Sequence, residues 1–185
     1  MPKYTRLLPL IIAFSLLAAC AAHRASYAAA AHIPDYYASA SGFSAQVAAT
    51  VNRGATENDF TLAWTMSPAG SVIEILKPDS VAGIRAEITP DARTLVYDGA
   101  ALTLPDSVSP IELLPILAAA WEGAYSECTP GAEDVTLVYF ETIDDHAYEL
   151  HTRFDAVTFK PLDAAVFQDG TRLAVYTYET FEFSS

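Results

Sequence analysis

Phe43-Ser44-Ala45-Gln46-Val47-Ala48-Ala49-Thr50-Val51-Asn52 and, after the turn Asn52-Arg53-Gly54, Phe60-Thr61-Leu62-Ala63-Trp64-Thr65-Met66 decide the fold. Along the first run Phe43, Ala45, Val47, Ala49 and Val51 alternate with smaller or polar residues. Along the second, Phe60, Leu62, Trp64 and Met66 do the same. A period of two is that of a strand with one face buried, because successive side chains leave a strand on opposite sides. The two runs therefore predict a hairpin whose strands face one core.

The rhythm continues in both directions from this hairpin. Ser67-Pro68-Ala69-Gly70 turns the chain into a third strand, Val72 to Leu76, which Pro78 stops. Short strands are expected at Ile84–Ile88, Thr94–Tyr97 and Ala100–Leu104, divided by Pro90-Asp91 and Asp98-Gly99. They resume at Val135–Thr142, turn at Asp144-Asp145, and return at Ala147–Phe154. Val157–Phe159, Ala165–Phe167 and, after the turn Asp169-Gly170, Arg172–Tyr178 follow, with Phe181 and Phe183 closing the chain.

One segment breaks the period. Ser109-Pro110-Ile111-Glu112 has the form of a capping box with Pro at the first helical position. Ile111, Leu114, Leu117, Ala118 and Trp121 then recur at helical spacing, Leu113 and Ile116 widen the apolar face, and Gly123 ends the helix. A helix this apolar must lie against the sheet. Counted from Pro110, Pro115 is its sixth residue and is expected to kink or split it. The expected fold is α+β: a curved, half-closed antiparallel sheet of about 10–11 strands wrapped on an apolar helical insert, with one core.

The beginning of the chain carries a different message. Lys3 and Arg6 precede an apolar run from Leu7 to Ala19, which Leu17-Ala18-Ala19-Cys20 closes. The run is short for a bilayer span of about 20 residues, so it reads as an export leader, residues 1–19. The closing quartet resembles a bacterial lipobox, whose cysteine receives a diacylglyceryl thioether before cleavage. An ordinary secretory leader with a chance cysteine is the alternative. The lipobox reading implies lipidation at Cys20 and a protein held on the extracytoplasmic side of the cell membrane. Residues 20–41 follow as an Ala-rich tether and a short helix, Ile33 to Ser41, which Pro34 separates from the alanine stretch. Residues 42–185 form the sheet domain. Ala21 after the cysteine resembles, in a two-membrane cell, the signal for onward transport to the outer membrane.

Removing a 19-residue leader that holds two of the ten basic residues and none of the 23 acidic ones leaves 166 residues with a net charge of −15. Such a chain is long enough for one domain with its own core. Its charge repels phosphate backbones, so no nucleic-acid partner is expected, and it repels anionic headgroups, so the membrane contact falls to the acylated cysteine.

The order of lipobox, short helix, three strands, Lys77-Pro78-Asp79-Ser80-Val81-Ala82-Gly83-Ile84, a strand, Leu95-Val96-Tyr97-Asp98-Gly99, helical insert and closing hairpins resembles the bacterial lipoprotein-carrier fold (LolA/LolB-like) over Gly42 to Phe183. It is most similar to the anchored, carrier-like lipoproteins of spore-forming bacteria. The resemblance implies a half-closed barrel with a helical lid over an apolar cavity for acyl chains. It assigns no functional residue individually.

The chain has no Gly-x-Ser-x-Gly elbow, phosphate-cradling glycine loop, His-Glu-x-x-His or paired-cysteine motif. No enzyme activity, catalytic residue, cofactor or metal site is therefore expected. His146 and His151, five apart, point to opposite faces of a regular strand, and Asp144-Asp145 reads as a polar turn. Cys128, beside Glu127 and with no cation nearby, reads as a partly buried filler and not a nucleophile. Phe60, Leu62, Trp64, Met66, Leu117 and Trp121 are the residues that either line a cavity or fill a core, since both demand the same apolar alternation. Two functions follow: a lipoprotein binding a lipid or acyl-chain ligand between sheet and helix, or an anchored interaction module with a solid core that meets another exported protein.

Overall fold

The structure, a computed structural model, describes residues 26–54, 56–103, 112–143 and 145–184. Among these, eleven strands form one antiparallel sheet: β1 (Phe43–Arg53), β2 (Thr56–Ser67), β3 (Gly70–Lys77), β4 (Arg85–Ile88), β5 (Arg93–Tyr97), β6 (Ala100–Thr103), β7 (Glu127–Pro130), β8 (Asp134–Ile143), β9 (His146–Asp155), β10 (Pro161–Gln168) and β11 (Thr171–Phe183). Their order is β6-β5-β4-β3-β2-β1-β11-β10-β9-β8-β7, so two meanders meet where β1 pairs with β11. The sheet is open, with β6 and β7 at its edges. Two helices accompany it among the described residues, α1 (residues 26–39) and α2 (Leu113–Trp121). This is the expected α+β curved antiparallel sheet with an apolar helical insert.

Register explains why one face is buried throughout. Phe43, Ala45, Val47, Ala49 and Val51 of β1 stand opposite Met66, Trp64, Leu62, Phe60 and Asn58 of β2. Trp64 and Leu62 continue the rows to Ile73 and Ile75 of β3. On the other side Ala49 and Val51 face Tyr176 and Ala174 of β11, which continue to Ala164 and Val166 of β10 and then Thr152 and Leu150 of β9. A one-residue bulge in β11 at Glu179, between the pairs Gln46–Thr180 and Val47–Tyr178, changes the parity of the strand. Tyr176 points inward before it and Phe181 after it, and the pairs Ala45–Phe181 and Phe43–Phe183 keep the last two phenylalanines within β11. The two-residue turns Asp98-Gly99 and Asp169-Gly170 have positive φ at both positions (49° and 77°, 50° and 73°), the tight hairpin geometry that Asp-Gly favours.

Four sequence expectations change. First, Pro34 does not separate a tether from a helix: residues 26–39 are one helix through it. Ala29, Ala30, Ile33 and Tyr37 form a buried stripe on α1, and this packing offsets the backbone bond Pro34 removes. Second, α2 begins at Leu113 with Glu112 as its N-cap, so Pro115 is the third helical residue. The first four N–H groups of a helix have no intrahelical acceptor, and Pro115 neither kinks nor splits the helix. The proposed Ser109 cap lies outside the described residues. Third, Val157–Phe159 is not a strand but a turn, fastened by Asp155, whose carboxylate accepts from the Val157 and Thr158 N–H groups at 3.0 and 2.7 Å and from the Thr158 hydroxyl at 2.9 Å. Fourth, Glu127–Pro130 around Cys128 is an edge strand; its four residues alternate between exposed and half-buried, too short a run to give a periodic signal in the sequence.

Two glycines hold the backbones close beside the β2–β3 turn. A Cβ on Gly42 would lie 2.2 Å from the Met66 carbonyl oxygen, and one on Gly70 would lie 2.4 Å from that of Ile88; their φ angles are 135° and 138°. Gly70→Ala should destabilise the protein by about 2–4 kcal/mol, through backbone strain and overpacking together. Urea denaturation checks this, and a midpoint equal to wild type would refute the close-approach account.

Asp155 yields a second expectation. The Thr158 N–H, then its hydroxyl and the Val157 N–H, hold this carboxyl below its usual range against the opposing effect of burial. Its contribution is therefore present above the ordinary carboxylate pKa and lost as pH falls through the lowered one. Asp155→Ala should lower stability by about 1 kcal/mol near neutral pH, as for lost helix caps, with the difference from wild type vanishing in acid. Denaturation at several pH values measures it.

Candidate functional site

The centre of the sheet's concave face is filled. Leu62, Trp64, Leu117 and Trp121 are each at most 1% exposed. The Trp64 and Trp121 rings lie 6.0 Å apart, and Phe43 meets Trp64 edge-on at 4.7 Å. Tyr37 of α1 reaches the same cluster, edge-on to Trp121 at 5.0 Å. Burying an indole N–H without an acceptor would be costly, and each has one: Trp64 Nε1 donates to Ser71 Oγ at 2.7 Å and Trp121 Nε1 to Thr152 Oγ1 at 2.9 Å. Tyr37 donates to the Phe159 carbonyl at 2.9 Å, which ties α1 to the turn after β9. The hydroxyls of Tyr139 and Tyr178 are buried with no partner among the described residues. Burial raises both phenols well above their ordinary pKa and keeps them neutral.

Beside this filled centre the face opens into a groove of about 470 Å³. One wall is the end of α1 and the following residues, from Tyr37 to Gly42. The floor is a row across the sheet, Phe43, Met66, Ser71 and Ile88, joined by successive cross-strand pairs. Pro68 and Pro90 close it from the β2–β3 and β4–β5 turns, and Pro115, Ala118 and Glu122 form the α2 wall. The lining is mainly apolar. Eight of the 17 lining positions are glycine, proline or serine, residue types that read from the sequence as turn or boundary signals and not as a site.

The six candidate lining residues thus separate. Met66 lies on the groove floor, and Phe60 borders a second depression of about 540 Å³ with Thr50, Lys77 and Pro78. Leu62, Trp64, Leu117 and Trp121 come together as the packed layer beside the groove. Cys20 lies outside the described residues.

The other candidates can be placed briefly. His146 and His151 sit on opposite faces of β9, whose pairing with β8 runs without a bulge; His151 meets Glu149 at 2.5 Å on the outer face. No group of three or more His, Cys, Asp or Glu residues among the described residues could hold a metal. Burial pushes the Cys128 thiol up, away from thiolate reactivity. Among the described residues no helix is long and apolar enough to cross a membrane.

No protein-family model and no curated protein sequence matches the chain. Its likeness to known proteins is in the fold. It resembles a "putative outer membrane lipoprotein-sorting protein domain" from Vibrio parahaemolyticus (9% identity, TM-score 0.50, covering 84% of this chain and 91% of that one). It also resembles a chain of the CwlD amidase from Clostridioides difficile in complex with the GerS lipoprotein (13%, 0.51, 81% and 91%). An uncharacterized conserved protein from Thermus thermophilus is similar to the same degree (12%, 0.52, 84% and 86%). The chain has the bacterial lipoprotein-carrier fold, and its structural neighbours include a lipoprotein complex of a spore-former.

The filled centre and the open groove respond differently to truncation. Leu117→Ala should cost about 2–5 kcal/mol, the range for deleting a fully buried leucine. Met66→Ala, at the groove, should cost less than half as much. Thermal and urea unfolding of the two variants test the distinction; equal losses would mean that Met66 is as tightly enclosed as Leu117.

Proposed function

We propose that this protein is an anchored extracytoplasmic lipoprotein that binds a lipid or other apolar ligand, without catalysing a reaction, in the groove between sheet and helices. The observation that carries the reading is the groove itself. An apolar-lined space of about 470 Å³ lies within the roughly 300–1,000 Å³ of small-ligand sites, and it adjoins the packed layer of Trp64 and Trp121. Apolar side chains facing such a space gain dispersion contacts and lose water only when something apolar occupies it. The carrier-type fold supports the same reading, and so does the leader ending in Leu17-Ala18-Ala19-Cys20. Acylated Cys20 would hold the acidic domain at a membrane surface whose headgroups its own charge does not attract.

The filled centre favours a second reading. With Trp64 and Trp121 fully packed, the same fold can serve as an anchored module that meets another exported protein through its surface. Native mass spectrometry of the purified protein separates the two. Co-purifying lipid that a Met66→Trp substitution displaces supports ligand binding; a ligand-free wild type that takes up no added lipid leaves the interaction module.

The anchor has its own test. Cys20→Ser should abolish labelling by a fatty-acid analogue and leave the leader uncleaved at the lipoprotein site. A variant processed and membrane-bound like wild type would refute lipidation.

A further inference from the structure

The cross-strand row that forms the groove floor runs on one strand beyond the groove's own lining. The pairing of β4 with β5 sets Ile88 opposite Arg93, so Arg93 continues the row Phe43, Met66, Ser71, Ile88 on the same face of the sheet. Directly opposed residues of antiparallel strands have Cβ atoms about 4.5–5.5 Å apart, and the intervening turn supplies two further groove residues, Thr89 and Pro90. An arginine therefore stands at the head of an apolar row.

Its guanidinium is also distinctive. In a chain with 23 acidic residues, Arg153 bridges Asp134 and Asp163, Arg85 meets Glu87 at 2.7 Å, and Arg172 reaches Glu57 at 3.9 Å. Arg93 forms no such pair among the described residues, yet its Nη1 is buried with no hydrogen-bond partner there. A guanidinium nitrogen taken out of water without an acceptor is unfavourable, and an oxyanion relieves it. Glu122, the C-cap of α2, lines the groove and repels an anion. The two charges nearest the apolar row are thus unlike: Glu122 in the groove's lining and Arg93 one strand beyond Ile88.

We propose that the groove takes a free fatty acid, with its acyl chain along Phe43, Met66 and Ile88 and its carboxylate on Arg93. This inference rests on the ligand-binding reading above and adds the ligand's charge and orientation. A planar carboxylate accepts two parallel N–H bonds from one guanidinium. One cation neutralises one negative charge, whereas a phosphate monoester, with a charge of about −1.5 to −2, would bring more than Arg93 balances into a strongly acidic protein. A groove in the lower half of the usual volume range holds one chain more readily than the two of a phospholipid.

The test uses the full chain in nanodiscs of zwitterionic phosphatidylcholine, with a photoactivatable diazirine fatty acid, its methyl ester and a diazirine lysophosphatidate as probes. Cross-links are located by peptide mass spectrometry. The acid should label the peptides holding Met66 and Ile88 at about tenfold lower concentration than the ester, a ratio set by one charge-assisted hydrogen-bond pair. Arg93→Gln should erase that preference by weakening the acid alone, and Arg93→Lys should restore part of it. Arg93→Leu should leave the unliganded protein as heat-stable as wild type or more so, since it removes a guanidinium nitrogen buried without a partner among the described residues. Equal labelling by acid and ester, or an acid response unchanged in Arg93→Gln, overturns the role of Arg93 while ligand binding stands. Preferential labelling by lysophosphatidate overturns the carboxylate. Absence of groove labelling by every probe overturns this inference and the ligand-binding reading together.

Discussion

The antiparallel pairing of β1 with β11 is the constraint on which the rest of the structure depends. It brings Phe43–Val51 alongside Ala174–Phe183 and so fuses two meanders, β2–β6 and β7–β10, into one sheet. Each meander alone would present an apolar face with too little opposite it. Fused, they curve around a single layer in which Phe43 stacks on Phe181 at 4.6 Å and both lie close to Trp121. The pairing joins segments far apart in sequence, so its loop-closure entropy is repaid only by this shared core. The bulge at Glu179 lies within the same pair, and by changing parity it delivers Phe181 and Phe183 to the side where Tyr37 waits.

From that layer the groove follows by subtraction. Trp64 and Trp121, each with its N–H satisfied, fill the middle of the concave face. Toward the β2–β3 turn the side chains become smaller or polar, at Gly42, Ser71 and Gly70, and the groove opens between them and Pro115 and Ala118 of α2. Those glycines also let the backbones of the α1–β1 junction and of β3 approach their neighbours as no other residue could. Rigid strands thus frame a space whose walls are turns, an arrangement suited to a ligand site.

Electrostatics separates the two sides of the sheet. Outside, Arg153 joins β8, β9 and β10 through Asp134 and Asp163, and these carboxylates hold its guanidinium more firmly protonated than usual. An exposed clamp of this kind contributes little to stability. Inside, charge is scarce among the described residues: Glu112 is buried, Glu122 lines the groove, and half-buried Arg93 stands one strand beyond Ile88.

Much of the fold is legible in the residues because burial of one face imposes a period of two. Phe43 to Val51 and Phe60 to Met66 reveal both their strands and their inward side, and Asp98-Gly99 and Asp169-Gly170 mark their hairpins through a backbone preference that is local. The apolar character of Leu113–Trp121 likewise announces a covered helix before any partner is known. Local signals could not decide where that helix begins, and so whether Pro115 breaks it or opens it, because the first turn is set by how α2 meets the sheet. Nor could they distinguish Met66, beside open space, from Trp64, two residues away in a closed core: the same alternation serves both. The bulge at Glu179, the groove and the unpartnered guanidinium of Arg93 arise from strands that are distant in sequence. Their register is settled by collective packing, and only that register places Arg93 in line with Phe43, Met66, Ser71 and Ile88.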